Sequence, residues 1–227
     1  MIKFIISILS IFLTISYAMA LFDYGIIDYH TSRFYYFIIG AMAFIPIWYL
    51  WLKKVSFYST FEHELTHLLV GLIFFKKPTH FWVSRQDGGQ TGYISHSDSN
   101  NFLISLAPYF LPTFAIIILP LYIVISYQYQ LGFLSILGFF VSYHILSTIQ
   151  EFSYEQPDIY TTGKLFSTIF LIFANLLFYG YIYMFIEGGF SLGNEFIREG
   201  VLNSYHQIEY AMSLIRNSLN ELNLQTE

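Results

Sequence analysis

The chain has 227 residues, 56% of them hydrophobic and 21% aromatic, and only 11% charged. Soluble domains are about a quarter charged, so this composition favours a membrane protein over one or two soluble domains. The net charge of −5, with no basic patch, argues against nucleic acid as a partner; the absence of cysteine excludes disulfides and thiolate metal sites, leaving His and carboxylate as metal ligands.

The first apolar run, Ile2 to Phe22, carries Lys3 near its start and Ala18-Met19-Ala20 near its end. It is long enough to span a bilayer, and the small residues also fit a signal-peptide cleavage site. Because further spans follow, an uncleaved first helix is the preferred reading. A polar loop with Asp23, Asp28 and Arg33 leads to a second run, Phe34 to Leu52, interrupted by Pro46. Trp48, Tyr49 and Trp51 beside Lys53 and Lys54 read as an aromatic belt and a cationic anchor at a cytoplasmic boundary; Lys76 and Lys77 pull the orientation the other way.

Ser59-Thr60-Phe61-Glu62 matches a capping box, which predicts a helix with Ser59 as its N-cap and Glu62, three residues on, in a capping and helix-dipole role. His63-Glu64-Leu65-Thr66-His67 follows at once. An α-helix turns about 100° per residue, so His63 and His67 stack on one face and can grip one zinc ion. Glu64 can then reach a water on that ion without being a ligand. Charged and polar groups flanked by Leu68-Leu69-Val70-Gly71-Leu72-Ile73-Phe74-Phe75 are costly in hydrocarbon, which makes them a functional site by default.

A polar stretch from Lys76 to Asn101 contains Asp87-Gly88-Gly89 between two β-prone segments, the signal of a hairpin over about 79–96. Such a hairpin is either a self-paired surface loop or an edge strand able to hold an extended peptide. His80 and His96 read as loop histidines. Three more apolar runs follow: Phe102 to Ser126, with Pro108, Pro112 and Pro120; Leu131 to Ile149, with His144; and Leu165 to Ile186, with Asn175. Asn175 reads first as a helix–helix hydrogen-bonding group and second as a contact to substrate backbone. After Gly188-Gly189, residues Val201, Tyr205, Ile208, Met212, Ile215, Leu219 and Leu222 form a heptad-like seam, an amphipathic helix suited to folding back, to a helical partner or to self-association.

Together these segments predict an all-α polytopic membrane protein: about six transmembrane helices, a short β-hairpin after the motif helix and a C-terminal amphipathic helix. The expected division is a membrane domain over 1–188 and a helical tail over 189–227.

His-Glu-Leu-Thr-His at the start of an apolar helix, then the glycine-bearing segment 87–92, then proline-rich apolar helices, resembles the site-2 protease family of intramembrane zinc metalloproteases, in its small bacterial-type members without a PDZ domain. The resemblance covers roughly residues 59–186. It implies a zinc endopeptidase of the bacterial inner (cytoplasmic) membrane that cleaves peptide bonds in or next to transmembrane segments. His63 and His67 would be metal ligands, Glu64 the catalytic base, and Asp158, in Gln156-Pro157-Asp158-Ile159, the third ligand. Two features depart from the family. Thr66 stands where Gly is usual, and the Leu-Asp-Gly signature is missing because Ile159 follows Asp158. If every apolar run crossed once, Ser59 and Asp158 would also lie at opposite membrane faces. His144 is therefore the alternative third ligand. A catalytically inactive polytopic protein that binds membrane partners is the rival function.

Overall fold

The computed structural model describes the backbone of residues 1–23, 32–54, 57–86, 89–96 and 101–224, and their side chains except at 54, 78–96 and 219–224. Asp28, the side chains of Lys54, His80 and His96, Asp87-Gly88, and the side chains of Leu219 and Leu222 lie outside the described residues. In chain order the elements are α1 (Ile2–Asp23), α2 (Ser32–Leu50), α3 (Phe57–Ile73), β1 (Pro78–Gln86), β2 (Gly89–His96), α4 (Phe102–Leu106), α5 (Thr113–Ile118), α6 (Gln130–Glu151), α7 (Pro157–Thr162) and α8 (Lys164–Leu224). The chain is predominantly helical. β1 and β2 pair antiparallel, with Phe81 opposite Ile94 and Arg85 opposite Gln90, and both strands pack against α3.

Among the described residues, four helices, α1, α2, α6 and α8, are long and apolar enough to cross a membrane, or five spans if one bent pair is counted as a unit. The apolar runs of the sequence predict six, and two segments account for the difference. α3 has 17 residues, about 25 Å at the helical rise and short of a hydrocarbon core of ~30 Å. It stops although Phe74 and Phe75 are apolar, because the chain closes a Schellman turn: Lys76 N–H donates to Gly71 O (2.9 Å) and Phe75 N–H to Leu72 O (3.0 Å), with Phe75 at φ 56°. The run from Phe102 breaks into two pieces, 102–109 and 113–123, bent by 93°. Pro108 and Pro112 bracket that break, where each removes a helical donor.

The chain divides into two compact units: residues 1–27 with 172–227, and residues 28–171. In the second, α2 and α6 approach so closely that a Cβ on Gly40 would fall 1.7 Å from Ser135 O, and one on Gly138 2.1 Å from Phe37 O. Small residues at such crossings let helix backbones meet where no hydrophobic effect drives them together. Below that contact Phe44, Trp48 and Tyr143 form a buried aromatic cluster, and Tyr143 donates its hydroxyl to Tyr58 O at 2.5 Å, tying α6 to the start of α3.

In the first unit α8 is interrupted at Gly189 (φ 65°, ψ −156°), a left-handed conformation that glycine adopts freely. The arm after the break folds back on the arm before it: Phe196 packs on Gly180, and Tyr181 Oη donates to Asn194 Oδ1 at 3.2 Å. Phe196 is fully buried against Tyr17 and Ala20 of α1. Further along, Val201, Tyr205, Ile208, Met212 and Ile215 are all exposed.

Candidate metal centre

All the groups that follow belong to residues 28–171. Successive residues of α3 distribute their side chains around the helix, which gives positions 63 and 67 one face and positions 62 and 66 the neighbouring one. The first face carries the two imidazoles of the sequence motif. The second packs toward α5 and α6.

On the first face, His63 Nε2 and His67 Nε2 lie 3.2 Å apart. Asp158 Oδ2 is 3.1 Å from the former and 3.3 Å from the latter. The three atoms make a near-equilateral triangle. A tetrahedral zinc ion with ligands at about 2.0 Å has ligand–ligand edges of ~3.3 Å, so the triangle has the size of one face of that tetrahedron. His63, His67 and Asp158 are thus the residues that would hold such an ion. Glu64 is buried on the adjoining position of the helix and within electrostatic reach of both imidazoles and of Asp158.

The donor set has a second property. His67 Nδ1 is 2.8 Å from Ile104 O, a backbone carbonyl of α4 that can only accept. Nδ1 must therefore carry the hydrogen, and in the neutral ring Nε2 presents a lone pair to the triangle. The Asp158 carboxylate presents another. Converging lone pairs repel unless a proton or a cation stands between them, so either a protonated imidazole or a bound dication would relieve the contact.

Asp158 reaches this position from the first turn of α7, where Pro157 opens the helix without forfeiting a hydrogen bond. Burial works to raise its pKa. When protonated, His63 and His67 donate to it and attract its charge, and this outweighs burial, so the carboxyl is held well below the usual carboxylate range. Asp158 nevertheless lies within hydrogen-bonding distance of both imidazoles, and the 102–123 segment that precedes it is bent by 93° rather than straight.

His144 does not join the triangle. Its Nδ1 lies 2.9 Å from Glu62 Oε1, and Ser147 Oγ donates a short bond to Glu62 Oε2. The expected capping role of Glu62 is thereby corrected: α3 opens at Phe57, two residues before Ser59, so the Glu62 side chain is turned onto α6. Ser59 and Thr60 instead donate to Glu151 Oε1, at 2.6 and 3.2 Å. Thr66, the residue that stands for the usual Gly, bonds Thr113 Oγ1 at 2.5 Å and so links α3 to α5. Three contributors to the site carry no sequence signal: the Ile104 carbonyl, Glu151, and Tyr109, whose hydroxyl is 3.4 Å from Asp158 Oδ2. Their only pointer is placement in or beside segments interrupted by proline.

Compared with protein-family models, with curated proteins and with solved structures, the chain matches none of them.

Proposed function

We propose that this chain is an intramembrane zinc endopeptidase of the site-2 protease type, resident in a bacterial inner membrane and acting on peptide bonds in or beside transmembrane segments. The observation that supports it most strongly is the triangle of His63 Nε2, His67 Nε2 and Asp158 Oδ2, with edges of 3.1–3.3 Å, beside the buried carboxylate of Glu64. His63, His67 and Asp158 hold the ion. Zinc, when bound there, supplies a Lewis acid and brings the pKa of water down to about 7. Glu64 takes the proton that the attacking water gives up and returns it to the leaving amine. The His67 ring is held in one tautomer by the Ile104 carbonyl, so its metal-facing nitrogen stays available throughout. A substrate segment must be unwound to expose its carbonyl, and β1–β2, packed against α3, offers main-chain groups to which an extended segment can pair.

The test uses the full chain purified in detergent, returned to vesicles with a transmembrane peptide. About one zinc per chain is expected, and Glu64→Gln should keep that zinc while cleavage falls about 10²–10⁴-fold. A wild-type chain that takes up no stoichiometric zinc, or a Glu64→Gln chain that cleaves as before, would refute the proposal. The rival reading, an inactive protein that binds membrane partners, draws on the exposed stripe from Val201 to Ile215. It predicts a chain without zinc that is nonetheless retained by a partner helix.

A further inference from the structure

Tyr109 stands at the break between α4 and α5, in the single turn 107–109. The carbonyl of the preceding residue, Pro108, accepts from Thr148 Oγ1 of α6 at 3.3 Å, which anchors the turn to a long helix. The Tyr109 side chain is buried, at 3% exposure. It touches two of the three triangle residues. Its hydroxyl donates to Asp158 Oδ2 at 3.4 Å, the same oxygen that faces both imidazole nitrogens. Its ring meets the His63 ring edge to face, with centroids 5.3 Å apart at 78°, and is backed by Phe152 at 5.7 Å and 88°.

A phenylalanine would fill this space and keep both ring contacts. A buried hydroxyl costs about 1–3 kcal/mol unless it finds a partner, so its presence on this ring demands an acceptor. Asp158 is an ionised acceptor beside it, and a charge-assisted bond is the stronger kind. Carboxylates that bind metals are themselves oriented by such outer donors.

We infer that Tyr109 is a positioning residue for the metal centre: its hydroxyl aims the Asp158 carboxylate at the ion and its ring sets the plane of His63. The inference rests on the zinc reading above and adds to it a residue that acts through Asp158 and His63.

The experiment measures zinc affinity of the full chain in detergent by competition with a chelator, together with the visible spectrum of the cobalt(II)-loaded protein, which reads donor geometry. Tyr109→Phe removes only the hydroxyl. It should retain one metal per chain, lower the affinity 10–100-fold and shift the cobalt bands. Tyr109→Leu removes the ring as well and should bind more weakly again. Zinc affinity within about twofold of wild type and unmoved cobalt bands in Tyr109→Phe overturn the hydroxyl's role. Equal affinities of the Phe and Leu variants overturn the ring's role. A wild-type chain that binds neither metal overturns the zinc reading itself, a result distinct from a wild type that binds and a Phe variant that binds equally well. A general packing defect would lower the melting temperature while leaving the cobalt bands where they are.

Discussion

α3 carries two imidazole–carboxylate clusters on neighbouring faces, built from the same chemistry and differently provisioned with hydrogens. In the first, His63 and His67 meet Asp158; in the second, Glu62 meets His144 and Ser147. The second cluster is balanced. One carboxylate receives an imidazole N–H and a hydroxyl, and both ionisable side chains are dry, at 2% and 4% exposure. Nothing further is needed there, and the cluster ties α3 to α6. In the first, the hydrogen count depends on protonation: with Nδ1–H held by Ile104 O, a neutral His67 presents a lone pair at Nε2, and the Asp158 side chain remains 25% exposed. Counting hydrogens therefore separates a strut from a candidate ion site where distance alone does not.

The sharpest way to break this comparison is to remove a donor from each cluster. His67→Ala or Asp158→Asn should take the zinc content from about one per chain to near zero and abolish cleavage, measured by elemental analysis of the purified protein. His144→Leu should do the reverse. It leaves the Glu62 carboxylate buried and unpaired, which costs about 3–5 kcal/mol of stability, while the folded fraction keeps its zinc. Replacing both partners, Glu62→Leu with His144→Leu, should recover most of that loss in denaturant titrations. A more modest effect is expected from Gly138→Ala, which forces α6 off α2 where a Cβ would stand 2.1 Å from Phe37 O. About 1–3 kcal/mol of stability should go, with zinc affinity unchanged. The smallest effect belongs to Thr66→Ala, which severs the link to Thr113 and should cost about 1 kcal/mol without altering metal content.

Legibility in the sequence follows the range of the interaction. The shared face of His63 and His67 depends only on the pitch of one helix, so spacing alone displays it. Asp158 lies 91 residues from His67 and enters through family resemblance, not through any local pattern. Glu62 departs from its capping signal because that signal is also local, and a tertiary partner, His144, outcompetes it. The number of spans is overestimated for a related reason. Apolar character continues through Phe75 and across Pro108 and Pro112, whereas the helices stop at a backbone turn and a proline break. Tyr109 is one aromatic residue among many in the sequence; only the bend at Phe110 to Pro112 brings it beside Asp158.

The acceptor that fixes the His67 ring is main-chain oxygen, and this has a practical consequence for anyone scanning the protein residue by residue. Exchange of the Ile104 side chain alters packing at a buried position yet leaves the acceptor in place, so a mutational survey passes over it. Only editing the chain itself exposes the dependence: an ester in place of the amide joining residues 104 and 105 weakens that oxygen as an acceptor. The imidazole would then exchange tautomers, in a protein whose side chains are all those of the wild type.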